Sequence, residues 1–197
     1  MAGINRAIAS RGFALASINE SFDFRKNSVS PPCPCFFISH LSVNKNVAIS
    51  VGDYILNHAD IDIDIYLDIY DEELQRAVRD GDPHKITKSI ETGITNSSHI
   101  ICLVSEKTSE SWWVPYELGF AKKSQKEISS LILKDATYIP DYLQIGAILR
   151  GTVSLNKYLK VVTDIHNSNT AYAKVSPSFI PETQIPHPLD SCLSWEI

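Results

Sequence analysis

The chain has no dense cluster of lysine or arginine, no long apolar run and no strong excess of either charge. Its 18 Lys and Arg residues face 23 Asp and Glu, for a net charge of −5, which argues against a surface for nucleic acid or an anionic membrane. No apolar run approaches the roughly 20 residues that a membrane-spanning helix needs. These absences predict a soluble cytoplasmic protein that binds neither nucleic acid nor membrane.

The patterns of metal sites and disulfide scaffolds are also missing. The four cysteines, Cys33, Cys35, Cys102 and Cys192, form no CxxC pair, so we expect reduced thiols rather than a zinc knuckle or a set of disulfides. The acidic stretch 68–73 lacks the spacing of an EF-hand loop. We therefore expect no metal site, and we interpret Cys102, inside an apolar run, as a small core residue.

Length and composition indicate one globular domain with terminal extensions. The chain has 197 residues, of which 44% are hydrophobic, enough for a sizeable core. We divide it into an N-terminal extension (1–34), a folded domain (35–166) and a Pro- and Ser-rich tail (167–197). The extension mildly resembles a transit peptide, and residues 4–18 could instead form an amphipathic helix, but we favour an ordinary extension. We expect Leu193 and Trp195 to anchor the tail.

Apolar segments alternate with amphipathic helical patterns along the domain. Strands are predicted at 35–39, 61–67, 99–104, 128–133 and 148–149. Helices are predicted at 44–58, from Pro83 to about Ile94, from Pro115 to about Lys126, and around Leu155 to Val162. A long acidic loop is expected at 68–82. The alternation predicts an α/β fold with a central parallel sheet of about five strands and helices on both faces.

Polar side chains follow three of the predicted strands. Ser39 and His40 end the first strand, Asp68 follows the second, and Ser105 follows the third. Ligands gather at the carboxyl ends of the strands in such sheets. We therefore expect these residues to converge with Glu117, although they lie far apart in the sequence.

Glu117 stands at a predicted helix start, just after two tryptophans. Pro115 is typical of a first helical position, which makes Glu117 the third. The free N–H groups and positive dipole end there favour an ionised carboxylate, and the indole of Trp113 can wall the same pocket. The alternative is a helix-capping glutamate beside buried aromatic side chains.

Four segments together resemble the Toll/interleukin-1 receptor (TIR) domain: FFISH at 36–40, IYLD at 65–68, HIICLVS at 99–105 and SWWVPYEL at 111–118. The resemblance covers about residues 35–165 and implies a flavodoxin-like sheet. It also implies that Glu117 is the catalytic glutamate of an NAD-cleaving enzyme, with Ser39, His40, Asp68, Ser105 and Trp113 around the substrate. NAD+ is then the substrate, and no cofactor is implied.

The motifs resemble those of bacterial stand-alone members, which are similar to the TIR component of Thoeris antiphage defence, more than those of animal receptor adaptors. This resemblance implies an ADP-ribose-derived messenger that is read by a separate effector. It also makes the stretch 68–82 similar to the mobile BB loop, through which TIR domains associate with copies of themselves.

One carboxylate suits this chemistry. Nicotinamide is positively charged on the sugar and leaves as a neutral molecule, so it needs no acid to protonate it, unlike the leaving group of an ordinary glycosidase. An ionised Glu117 can stabilise the oxocarbenium-like ribose. Attack by water gives ADP-ribose, attack by adenine gives a cyclic product, and the sequence leaves both open. Two other functions stay open as well: a non-catalytic TIR adaptor that signals by self-association, and an enzyme similar to nucleoside deoxyribosyltransferases.

Overall fold

Five parallel strands form one sheet in the order β2-β1-β3-β4-β5 within the described part of the chain. The structure is a computed structural model that describes residues 3–9, 33–59, 61–169 and 186–195. The strands are β1 (Cys35–Ser39), β2 (Asp64–Tyr66), β3 (His99–Val104), β4 (Glu127–Ile132) and β5 (Ala147–Leu149). The predicted α/β fold, with β3 at the centre of the sheet, is confirmed.

Helices cover both faces of this sheet. They are α1 (Arg6–Ala9), α2 (Lys45–His58), α3 (Glu72–Asp80), α4 (Pro83–Thr95), α5 (Trp113–Lys123) and α6 (Thr152–Asn169). Helices α2 and α6 pack on one face, and α3, α4 and α5 pack on the other, so two separate apolar cores form. None of the helices in the described part of the chain has the length and apolar composition of a membrane span.

The residues of β1 alternate between the two cores, as a strand with two covered faces requires. Phe36 and Ile38 lie in the core under α2 and α6, whereas Phe37 lies in the core under α3, α4 and α5. Two residues after Phe37, Ser39 takes the same face. This alternation aims the Ser39 hydroxyl at α5, the helix that carries Glu117.

The acidic stretch 68–82 is helical, so its prediction as a loop is wrong. It forms a 3-10 turn (Asp68–Tyr70) and then α3. The Asp71 side chain caps α3 by accepting hydrogen bonds from two backbone amides, and Gly81 ends it with a φ of 64°. An Asp N-cap followed by acidic residues, and a glycine in the left-handed conformation after the last turn, are ordinary helix signals.

The edge strand β2 is shorter than predicted, and its acidic residue is not exposed. Asp64 is 2% exposed because Arg6 donates to it from the N-terminal segment, with Nε 2.7 Å from Oδ2. The outer edge of β2 is thus partly covered by residues of the segment 1–34, which we interpreted as an N-terminal extension.

The C-terminal residues 186–195 pack on the core under α2 and α6. Leu189 and Leu193 are buried there, which confirms Leu193 as an anchor. Trp195 is 39% exposed, so its expected role as a second anchor is not supported. The predictions made for residues 10–32 and 170–185 lie outside the described residues.

Candidate functional site

Ser39 and Glu117 meet in the interior, at the carboxyl edge of the sheet. Ser39 Oγ donates a hydrogen bond to Glu117 Oε2 across 2.5 Å. Both residues are buried, and Glu117 is only 5% exposed. The convergence of these two residues, predicted from the strand ends, is therefore present in the fold.

Helix α5 begins two residues earlier than predicted, and this changes the position of Glu117. The helix starts at Trp113, which makes Pro115 the third helical residue and Glu117 the fifth. A proline is tolerated there because the first turn of a helix has no internal partner for its N–H groups. Glu117 consequently lies in the second turn, on the face that packs against the sheet. It is not a cap with a partly exposed side chain.

The expectation that the helix dipole keeps Glu117 ionised is also wrong. The pKa of Glu117 is raised to about 8, mainly by burial; the hydrogen bond from Ser39 opposes this increase, and the negative charge of Asp68 adds to it. At pH 7 the protonated form of Glu117 is therefore favoured. A carboxyl group of this kind resembles the tuned acids of known active sites.

Cys102 is a third member of this cluster that the sequence did not indicate. It pairs with Ser39 in the register of β1 and β3 and is fully buried. Burial raises the pKa of its thiol, and the charge of Glu117 adds to the increase. Only the register between β1 and β3 reveals that Cys102 lies beside Ser39. Within its own strand, the sequence around Cys102 is that of an ordinary core residue.

His40 and Asp68 form a second pair beside the first. Their closest atoms, Nδ1 and Oδ1, are 3.7 Å apart. His40 Nδ1 lies 3.1 Å from the carbonyl oxygen of Ile38, and since a carbonyl only accepts, Nδ1 carries the proton. Burial raises the pKa of Asp68, and His40 opposes this increase. The pair places a second carboxyl group where its charge acts on Glu117.

Ser105 is engaged in a local turn. Its backbone N–H donates to Thr108 Oγ1 across 2.8 Å, and the two hydroxyl oxygens are 3.3 Å apart. Both residues are buried. Its prediction as a residue that contacts substrate stays a prediction, and the contacts described here give it a role in shaping the turn after β3.

The two tryptophans before Glu117 differ in exposure. Trp113 is 42% exposed and packs edge to face on Tyr116, whose hydroxyl donates to Glu91 across 2.6 Å. It lies one helical turn before Glu117 on the same side of α5. Trp112 is 92% exposed, an unusual state for a large aromatic side chain. The two tryptophans therefore present aromatic surface to solvent at the start of α5, the helix that carries Glu117.

The cavity described below does not include the buried pair Ser39 and Glu117 in its lining. A cavity of about 440 Å³ opens at the opposite edge of the sheet, near the amino ends of β4 and β5, and its lining includes Lys126, Glu127 and Tyr158. Glu117 is 5% exposed as a whole residue, so it presents little surface to a ligand in this structure. Among the described residues, no group of three or more His, Cys, Asp or Glu side chains could hold a metal ion.

A family model described as "Thoeris protein ThsB, TIR-like domain" matches residues 37–137. The matched span contains Ser39, His40, Asp68, Ser105, Trp113 and Glu117. No curated protein sequence matches the chain.

Proposed function

The chain belongs to the family of TIR-like domains of the Thoeris protein ThsB, a defence-related group, and we propose that it cleaves the bond between nicotinamide and ribose in NAD+. The observation that carries this proposal is the Glu117 carboxyl group, buried at the carboxyl edge of the sheet and held by Ser39 at 2.5 Å. Sheets of this kind bind nucleotides at that edge.

Glu117 acts as the carboxylate that faces the ribose in this reaction. Cleavage leaves positive charge on the sugar and releases neutral nicotinamide, so the groups needed are an anion near the ribose and hydrogen-bond partners for its hydroxyls. The positive charge of bound NAD+ favours the ionised form of Glu117. The Ser39 hydroxyl favours the same form, because it donates to the carboxylate.

The neighbouring residues divide the remaining tasks. Trp113 provides an apolar wall beside Glu117, and its half-exposed indole suits the face of a nicotinamide or adenine ring. His40 and Asp68 stand next to the first strand end, where they contribute hydrogen bonds and set the local charge. Ser105 shapes the turn beside them.

The products follow from the attacking group. Water gives ADP-ribose, and a nitrogen of adenine gives a cyclic form, and either serves as a messenger for a separate effector in antiviral defence. NAD+ is consumed as the substrate, and the proposal includes no cofactor. Copies of the chain associate through the region 68–82, which carries α3.

The burial of Glu117 supports a second candidate function. A glutamate that is 5% exposed and hydrogen-bonded inside the fold also suits a structural role, which is what a non-catalytic TIR adaptor would retain. The third candidate, an enzyme similar to nucleoside deoxyribosyltransferases, would act on free nucleosides with the same carboxylate.

Product analysis separates the three candidates. We would incubate the full chain with NAD+ and, separately, with free nucleosides, at protein concentrations high enough for self-association. Products would be identified by mass spectrometry. Release of nicotinamide from NAD+ supports the proposal, and the accompanying ADP-ribose species separates hydrolysis from cyclisation. Exchange of bases on nucleosides points to the transferase, and no reaction with either substrate points to the adaptor.

A further inference from the structure

The N-terminal residues 3–9 lie along the outer edge of β2. The backbone N–H of Ile65 donates to the carbonyl of Ile4 across 2.9 Å, and Asn5 pairs with Ile65 in a parallel bridge. Gly3 approaches Ile63 so closely that a Cβ at its position would lie 1.8 Å from the carbonyl oxygen. Residues 3–5 therefore lie against the edge of β2 through one backbone bridge, and α1 follows them directly.

Arg6 fastens this segment to three parts of the domain. Its guanidinium donates to Asp64 Oδ2 at 2.7 Å, to the carbonyl of Asn96 at 2.7 Å and to the carbonyl of Cys33 at 3.3 Å. Burial alone would raise the pKa of Asp64, but the hydrogen bonds from Arg6 and from the Ile4 amide outweigh it and hold that pKa below its usual value. The pair thus favours the attached state of the segment.

The inner side of the segment contacts one corner of the domain, formed by the end of β2, the turn Asp68–Tyr70 and the start of α3. Ala7 is buried in the same core as Tyr66 and Leu74, and α1 also contacts the turn Asp68–Tyr70. The Tyr66 hydroxyl donates to Asp71, the residue that caps α3. The attached segment therefore supports the end of β2, the turn that carries Asp68, and the start of α3.

We propose that residues 3–9 form a releasable strap that keeps the Glu117 site closed, and that their detachment loosens this corner and gives NAD+ access to Glu117. The part of this inference that concerns NAD+ rests on the proposed function. The strap is held at the edge of the sheet by the backbone contacts of Ile4 and Asn5 and by the ion pair of Arg6. Breaking these contacts can free it while β1 stays paired with β2 and β3.

Two variants release the strap in different ways. Arg6→Gln removes the charge that faces Asp64, and Gly3→Ala introduces a collision with the backbone of Ile63. Lys160→Gln is the matched control, because it removes a cation from an exposed ion pair with Asp164 on α6, far from the strap. All variants are made in the full chain.

The readouts are the hydrogen exchange of amides 64–74 and the alkylation of Cys102 by iodoacetamide, followed by peptide mass spectrometry. Cys102 is fully buried and pairs with Ser39 in the sheet, so its reaction reports opening of the site. We expect both strap variants to accelerate both processes by roughly tenfold or more, with the amides of β4 and the control unchanged. Unchanged exchange and alkylation in both variants would overturn the inference, and so would an increase spread evenly over the chain in both.

Nicotinamide release separates the strap from the function of the site. If the wild-type chain cleaves NAD+, the strap variants should cleave it faster, and an equal rate would overturn the strap as a brake. If no chain releases nicotinamide while Cys102 becomes reactive in the strap variants, the strap stands and the proposed function fails.

Discussion

The hydroxyl of Ser39 and the carboxyl of Glu117 lie 2.5 Å apart, although 78 residues separate them in the sequence. The bond joins the end of β1 to the second turn of α5 inside the fold. It holds one carboxyl oxygen in place and partly offsets the cost of ionising a buried acid. Much of what we expect of this protein depends on that offset.

Ser39→Ala should raise the pKa of Glu117 above about 8, because it removes the donor that stabilises the carboxylate. If ionised Glu117 is required, kcat/KM for NAD+ increases with pH through that pKa. The rising limb of the profile should then move to higher pH, by about one pH unit. A profile that keeps its position, with kcat alone reduced, would contradict this role of Ser39.

Asp68→Asn should move the same limb in the opposite direction. The charge of Asp68 raises the pKa of Glu117, so the neutral amide should lower it, by up to about one pH unit. Measuring both variants in one series tests the sign as well as the size of each effect. A shift of both profiles to higher pH would exclude the electrostatic explanation.

Glu117→Gln should make the free energy of unfolding less dependent on pH. Because burial raises the folded-state pKa of Glu117 from 4.5 to about 8, the folded state holds a proton that the unfolded state has released. The stability associated with that proton is fully present below pH 4.5 and is lost as the pH rises to about 8. Urea unfolding between pH 5 and 8.5 should show this loss in the wild type. The glutamine variant should show a smaller loss, and equal slopes would contradict the raised pKa.

Gly93→Ala should destabilise the fold by about 1–3 kcal/mol through overpacking. A Cβ at Gly93 would lie 2.6 Å from the ring of Tyr66, and that ring is stacked on Phe37 and hydrogen-bonded to Asp71. Gly119, on the exposed side of α5, is the matched control because nothing lies within 4 Å of its Cβ position. Gly119→Ala should raise Tm slightly through helix propensity, whereas Gly93→Ala should lower it. A similar effect of both changes on Tm would show that Tyr66 is not held in place.

The sequence predicted the features that depend on the period of apolar residues and on the rules of parallel sheets. The apolar runs at 35–39 and 99–104 became β1 and β3, because a strand with two covered faces needs a continuous apolar run. The meeting of Ser39 with Glu117 followed from the same rules, since strand ends share one edge of a sheet. Neither prediction needed side-chain packing in detail.

The features that failed depend on tertiary packing or on competing local signals. Helix α5 begins at Trp113 rather than Pro115. The burial of Glu117 arises from the rotation of this helix about its axis against the sheet, and no local sequence pattern fixes that rotation. The helix α3 had its own signals in Asp71 and Gly81, but its acidic composition suggested a solvated loop. The Arg6 contact with Asp64 joins residues too far apart in the sequence for any periodic pattern to connect them.

Nicotinamide release from NAD+ at pH 8.5 by the wild type, Glu117→Gln and Glu91→Gln tests directly whether Glu117 is the catalytic carboxylate. Thermal melting shows whether each variant is folded. Glu91 is the matched control because its carboxylate is half-buried and accepts a hydrogen bond from Tyr116, near Trp113. We expect release by the wild type and by Glu91→Gln, and a loss of at least about a hundredfold in Glu117→Gln. Equal release by a folded Glu117→Gln protein would contradict this expectation.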